Sequence, residues 1–167
     1  MTEADIELRR AHGADTAEIR ALVRDAYASW AELIGREPKP MTADYDAAIL
    51  NHRLDLAVHD GRLVGVIETV DEGGQLLIEN VAVAPEFQRR GVGRMLMAHA
   101  ELIALDLGRP RIRLYTNQQF TPNIRFYQGL GYRIDREEDL GSAIAVHMSK
   151  ALAAAGGLRP AANGFPL

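Results

Sequence analysis

Between Leu76 and Thr116 the chain runs through an apolar stretch, a glycine turn, a helical stripe and a second apolar stretch, and this order narrows the folds open to it. LLIENVAV (76–83) is apolar on both faces except at Glu79 and Asn80, as expected of a strand in the middle of a sheet. Val92, Leu96, Ala100, Ile103 and Leu107 then fall on one face of a helix, which Gly108 and Pro110 end. RIRLYT (111–116) returns as a strand. A strand, a helix and a strand in succession predict a parallel crossover within one sheet.

The flanks add antiparallel pairing. Leu54, Leu56 and Val58 alternate, Asp60-Gly61 supplies a hairpin turn, Leu63 to Val70 returns, and Gly73-Gly74 turns the chain into 76–83. Upstream, Ile6, Leu8 and Arg10 alternate as a short strand. Asp15 with Glu18 resembles a capping box, and Ile19, Leu22, Val23, Ala26, Tyr27 and Trp30 follow helical spacing. IGREPKPM (34–41) carries two prolines and reads as a break before another helix over 43–50. Downstream, Thr121 as N-cap and Pro122 as first helical residue open a short helix through Tyr127, closed by Gly129 and Gly131. Tyr132 to Ile134 and Ala143 to Met148 read as a final hairpin joined by the acidic loop DREEDLGS. The expectation is one α+β domain over 1–150 and an Ala-, Gly- and Pro-rich tail over 151–167.

The balance of 47% hydrophobic and 25% charged residues in a 167-residue chain suits a single soluble domain. A net charge of −4 argues against a general nucleic-acid or anionic-membrane surface, so any anion site must be local. The absence of cysteine excludes disulfides, thiolate metal sites and a cysteine nucleophile. With no apolar leader or membrane-length run, the expected location is cytoplasmic. The five histidines form no HxxxH or HExxH pattern, so no metal is expected, and each is read as a surface or core residue.

Against that acidic background, APEFQRRGVGRML (84–96) stands out. A strand running through a glycine turn into a helix gathers backbone N–H groups around one concavity at the positive end of the helix dipole. Gly91 and Gly93 let the backbone approach an anion closely, and Gln88, Arg89, Arg90 and Arg94 add donors. The expected ligand is a phosphate or pyrophosphate. Leu96 stands where a dinucleotide fingerprint would need its third glycine, and no Walker Gly-Lys-Ser/Thr is present.

LIENVAV, then APEFQRRGVGRML, then LYTNQQFTPNIRFYQGLGY together resemble the GNAT N-acetyltransferase superfamily. Its signature Q/R-x-x-G-x-G/A is met by Gln88, Arg89, Arg90, Gly91, Val92 and Gly93. Its downstream asparagine, aromatic pair and glycine-aromatic step are met by Asn123, Phe126-Tyr127 and Gly131-Tyr132. The resemblance runs from about Ile6 to Lys150 and implies an α/β/α layered α+β fold, with a mixed central sheet splayed between strands 4 and 5. It further implies acetyl-CoA as cofactor, held by main-chain groups of Val81, Ala82 and Val83, by the turn from Gln88 to Arg94, and by Asn123 and Phe126.

Transfer from a thioester to an amine needs a free amine, a polarised carbonyl and a proton for the departing thiolate. By resemblance Tyr127 is the expected general acid, since a phenol is protonated at neutral pH. Glu79, an acid on an apolar strand beside the expected thioester position, is the candidate base; a structural carboxylate or water-relayed deprotonation stands beside that reading. A strand bulge common to the family leaves open whether Glu79 or Asn80 faces the cleft. Acceptor contacts are expected from Tyr27, Trp30, Arg36, Asn80 and Tyr115, with Ile34, Pro38, Pro40, Met41 and Tyr45 adding apolar surface. The expected acceptor is a primary amine of a small molecule, with a protein N-terminus or lysine, or a non-catalytic acyl-CoA-binding module, as alternatives. Dimerisation is common in the family, so a homodimer is expected by resemblance alone.

Overall fold

A computed structural model describes residue 2 and residues 5–152. The expected tail from 153 onward lies outside the described residues. The elements run β1 (Glu7–Arg10), α1 (Thr16–Ile34), α2 (Lys39–Thr42), α3 (Tyr45–Asn51), β2 (Arg53–His59), β3 (Arg62–Asp71), β4 (Leu76–Val83), α4 (Val92–Asp106), β5 (Arg111–Asn117), α5 (Thr121–Gly129), β6 (Arg133–Asp139) and β7 (Ile144–Ala151). Seven strands form one mixed sheet in the order β1-β2-β3-β4-β5-β7-β6. β1 to β4 pair antiparallel as a meander, and the crossover through α4 makes β4 and β5 the parallel pair.

Side-chain parity on β3 separates the two layers that cover the sheet. Gly65 packs beneath Leu96 and Val92 of α4, whereas Glu68, three residues on, points to the opposite face with α1 and α3. The core fills both sides, with Ile19, Val23 and Tyr45 on one and Leu96, Met97 and Ala100 on the other.

Three local readings are corrected. Asp15 does not cap α1 with its side chain; its carboxylate accepts from the His12 N–H at 2.9 Å and from both terminal nitrogens of Arg9 at 2.8 and 2.9 Å. That tie fastens the start of α1 to β1. Phe120, not Thr121, is the residue preceding α5, and it has no side-chain cap. Finally, most of the supposed acidic loop is strand. β6 extends through Asp139 as the outermost strand beyond β7, and it is exposed along nearly its whole length. An edge strand bathed on both faces has no apolar alternation to betray it.

Candidate active site

Where β4 meets β5, the ladder is short. Only Leu76, Leu77 and Ile78 pair with Ile112, Arg113 and Leu114, although β4 continues to Val83 and β5 to Asn117. The separation begins at a bulge. Glu68 of β3 faces Asn80 and Thr69 faces Ile78, so Glu79 is an extra residue on β4. A bulge bends its strand and increases the local twist, which carries the upper half of β4 away from β5. Glu79 and Asn80 both line the cleft, so the choice between them does not arise.

The gap opens into a cavity of about 510 Å³, walled by α1 to α3 on one side and by β4, β5 and α5 on the other. Tyr27, Arg36, Glu79, Asn80, Val81, Tyr115, Asn123 and Tyr127 line it. Trp30 does not; its ring stacks on Phe120, centroids 4.5 Å apart, as the helical stripe had equally allowed. Phe126 lies outside the cavity too and packs against Gly93, where an added Cβ would sit 3.5 Å from its ring.

Polar contacts organise the walls. The Tyr27 hydroxyl donates to Asn80 Oδ1 at 2.8 Å, Asn80 Nδ2 reaches the Tyr45 hydroxyl at 3.4 Å, and Tyr45 donates to the Pro40 carbonyl at 2.5 Å. Lys39 Nζ donates to Glu79 Oε1 at 2.6 Å and approaches the Tyr115 hydroxyl at 3.2 Å; that hydroxyl also contacts Glu79 Oε1 at 3.2 Å. The hydrogen bond to Glu79 pushes the Lys39 ammonium up, so it stays charged. Burial pushes the Tyr127 phenol up to about 12, and it raises Tyr27, Tyr45 and Tyr115 as well. These phenols are therefore donors at neutral pH. Among the described residues the Tyr127 hydroxyl has no hydrogen-bond partner.

Sequence reasoning passed over Lys39, His52 and Glu68, all on the cavity wall. Glu68 carried a findable signal, because it interrupts the apolar run LVGVIETV as Glu79 interrupts LLIENVAV. Lys39 begins the four-residue α2 and His52 caps the end of α3, positions too short or too terminal for a periodicity to read.

At the end of β4 the chain makes a 3-10 turn over Pro85–Phe87 and reaches Gly91 in a left-handed conformation (φ 87°) just before α4. Arg89 is also left-handed (φ 61°), and the Arg90 guanidinium lies 5.6 Å from the Phe87 ring centre. No side chain caps α4, so the N–H groups of its first turn have no helical partners. Gln88, Arg89, Arg90 and Arg94 are exposed around them. An open β4 edge, a cavity beside it and an uncapped helix end after it suit an extended thioester carrier with a pyrophosphate. Among the described residues, no three His, Cys, Asp or Glu side chains gather as a metal site, and no helix is long and apolar enough to cross a membrane.

Residues 17–132 match the sequence model of the acetyltransferase (GNAT) family. The chain belongs to that family, a class of acetyl-CoA-dependent N-acetyltransferases. Solved structures with the same fold include a PaiA N-acetyltransferase from Thermoplasma acidophilum in complex with coenzyme A, 23% identical over 88% of this chain and 99% of that one, with a TM-score of 0.74. A GNAT family acetyltransferase from Elizabethkingia anophelis with acetyl-CoA bound is 21% identical over 90% and 100%, with a TM-score of 0.67. The ribosomal-protein-S18-alanine N-acetyltransferase from Escherichia coli is 17% identical over 92% and 97%, with a TM-score of 0.69. Curated protein sequences show no significant match.

Proposed function

We propose that the protein transfers the acetyl group of acetyl-CoA directly to a primary amine of a small molecule, both bound at once. The observation that carries this reading is the edge of β4 beyond Ile78, which β5 leaves unpaired; its Glu79, Asn80 and Val81 border the cavity, and it leads into the Gln88–Arg94 turn. Main-chain groups of Val81 to Val83 would hold the pantetheine arm there, and the turn with the free N–H groups of α4 would hold the pyrophosphate. Asn123 and Phe126 flank that path. When bound, acetyl-CoA supplies an activated acyl group on a thiol leaving group. Tyr127, protonated and unpartnered at the cavity wall, would donate to the departing sulfur. Glu79 reaches the same cavity, but it can serve as base only when Lys39 leaves it.

A small acceptor is favoured because the segment between α1 and α3 lines the cavity and is tied down on both sides. Arg24 binds Glu37 at 2.5 Å and the Met41 carbonyl at 3.3 Å, and Lys39 binds Glu79. A peptide would have to displace these ties. The experiment is a calorimetric titration with acetyl-CoA followed by an amine panel read by release of CoA thiol. We expect binding below hundreds of micromolar and turnover confined to compact amines. Absence of binding sinks the cofactor reading, and turnover confined to peptides sinks the small acceptor.

A further inference from the structure

Glu68 has no part in the chemistry described so far. It is 4% exposed, on β3, directly opposite Asn80 and thus beside the bulge where the sheet opens. A carboxylate kept there without a partner would be costly. Its partner is His52, at the junction of α3 and β2, with Nδ1 2.5 Å from Glu68 Oε1. A carboxylate only accepts, so Nδ1 carries the hydrogen, and in the neutral imidazole Nε2 keeps its lone pair. Nε2 has no partner among the described residues, and His52 and Glu68 both line the cavity.

The other ionisable groups on that wall are poorer proton acceptors. Glu79 Oε1 is occupied by Lys39 and Tyr115, and Lys39 is held charged by the same contact. Tyr27, Tyr45, Tyr115 and Tyr127 are kept protonated by burial. Asp44 is exposed and accepts from the Ala47 N–H, and Arg36 is an exposed cation. An imidazole oriented by a buried carboxylate is what remains.

Building on the acetyl-transfer reading, we infer that His52 is the base that deprotonates the acceptor ammonium, with Glu68 as its positioning residue and Glu79 as the anchor of α2. The ammonium gives one proton to His52 Nε2. The freed nitrogen lone pair forms the C–N bond as the C–S bond breaks, and the sulfur leaves with that electron pair and takes a proton from Tyr127. The nitrogen then loses its second proton, which returns through solvent to Tyr127. His52 releases the first to solvent, so each turnover yields amide, free thiol and one proton.

The test compares pH profiles of kcat/KM for the wild type, His52→Ala, His52→Gln, Glu68→Gln and Glu79→Gln, with acetyl-CoA affinity measured in parallel. His52→Ala should lose about 10²-fold at neutral pH, regain much of it at high pH where the ammonium loses its proton unaided, and respond to added imidazole. His52→Gln, the gentler replacement, should show the same pH-dependent loss. Glu68→Gln should displace the acidic limb of the profile, and acetyl-CoA affinity should stay near wild type throughout. Wild-type profiles in the His52 variants, a deficit equal at every pH without imidazole rescue, or removal of the acidic limb by Glu79→Gln alone would overturn the assignment. If the wild type itself releases no thiol with any amine of the panel, the acetyl-transfer reading falls and this one with it. If the wild type turns over and only the His52 result fails, the transfer reading stands.

Discussion

Tyr127 shows how a single residue divides between the fold and the proposed chemistry. Its ring is buried near Phe126 and Tyr132, with centroids 5.4 and 6.1 Å away, while its side chain also borders the cavity. The ring fills space, and only the hydroxyl is free to act. Tyr127→Phe keeps the first role and deletes the second, so kcat should fall about 10²-fold or more while acetyl-CoA affinity holds. Steady-state kinetics with calorimetry checks this, and unchanged turnover would reduce Tyr127 to packing. Of the residues the sequence singles out, Tyr127 and Asn123 line the cavity and Gly91 is left-handed just before α4. The sequence was silent on Lys39 and His52, because their roles arise from partners 40 and 16 residues away that only the folded sheet brings close.

Among elements, the packing of α4 on β3 decides where the Gln88–Arg94 turn, the proposed pyrophosphate site, sits. Gly65 permits it: a Cβ there would lie 2.9 Å from Leu96 Cδ1 and 3.1 Å from Val92 Cγ1. Leu96 can swing its far end aside, but Val92 is branched at Cβ and belongs to the first turn of α4. Gly65→Ala should therefore cost about 1–3 kcal/mol and weaken acetyl-CoA binding, because the turn moves with the helix. Thermal melting and calorimetry report the two effects separately; an unchanged melting temperature would mean that both side chains yield freely. The strand–turn–helix–strand order and the meander were legible from apolar periodicity and turn residues. The place of β7 between β5 and β6 was not, since pairing order within a sheet leaves no mark on a strand's own pattern.

For the molecule as a whole, part of its acid sensitivity follows from the tie between β1 and α1. The Arg9 guanidinium, joined by the His12 N–H and opposed by burial, holds the Asp15 carboxyl at about 2. The folded state thus binds this proton more weakly than the unfolded chain, whose aspartates titrate near ~3.9. The stabilisation is complete above about pH 4 and is lost as pH falls through about 2; it amounts to roughly 1–2 kcal/mol. Asp15→Asn should flatten the decline of melting temperature over that interval, and an unaltered slope would assign the decline to other carboxylates.

The outermost strand bears on assembly. β6 presents RIDREE to solvent with charges of both signs and its one large apolar side chain, Ile134, 45% exposed. A strand from another molecule laid against it would have to find matching charge at nearly every position. The same composition that hid β6 from a reading of the sequence makes that border of the sheet a poor template for an eighth strand, so growth by edge addition is discouraged at the margin where the chain leaves it most open.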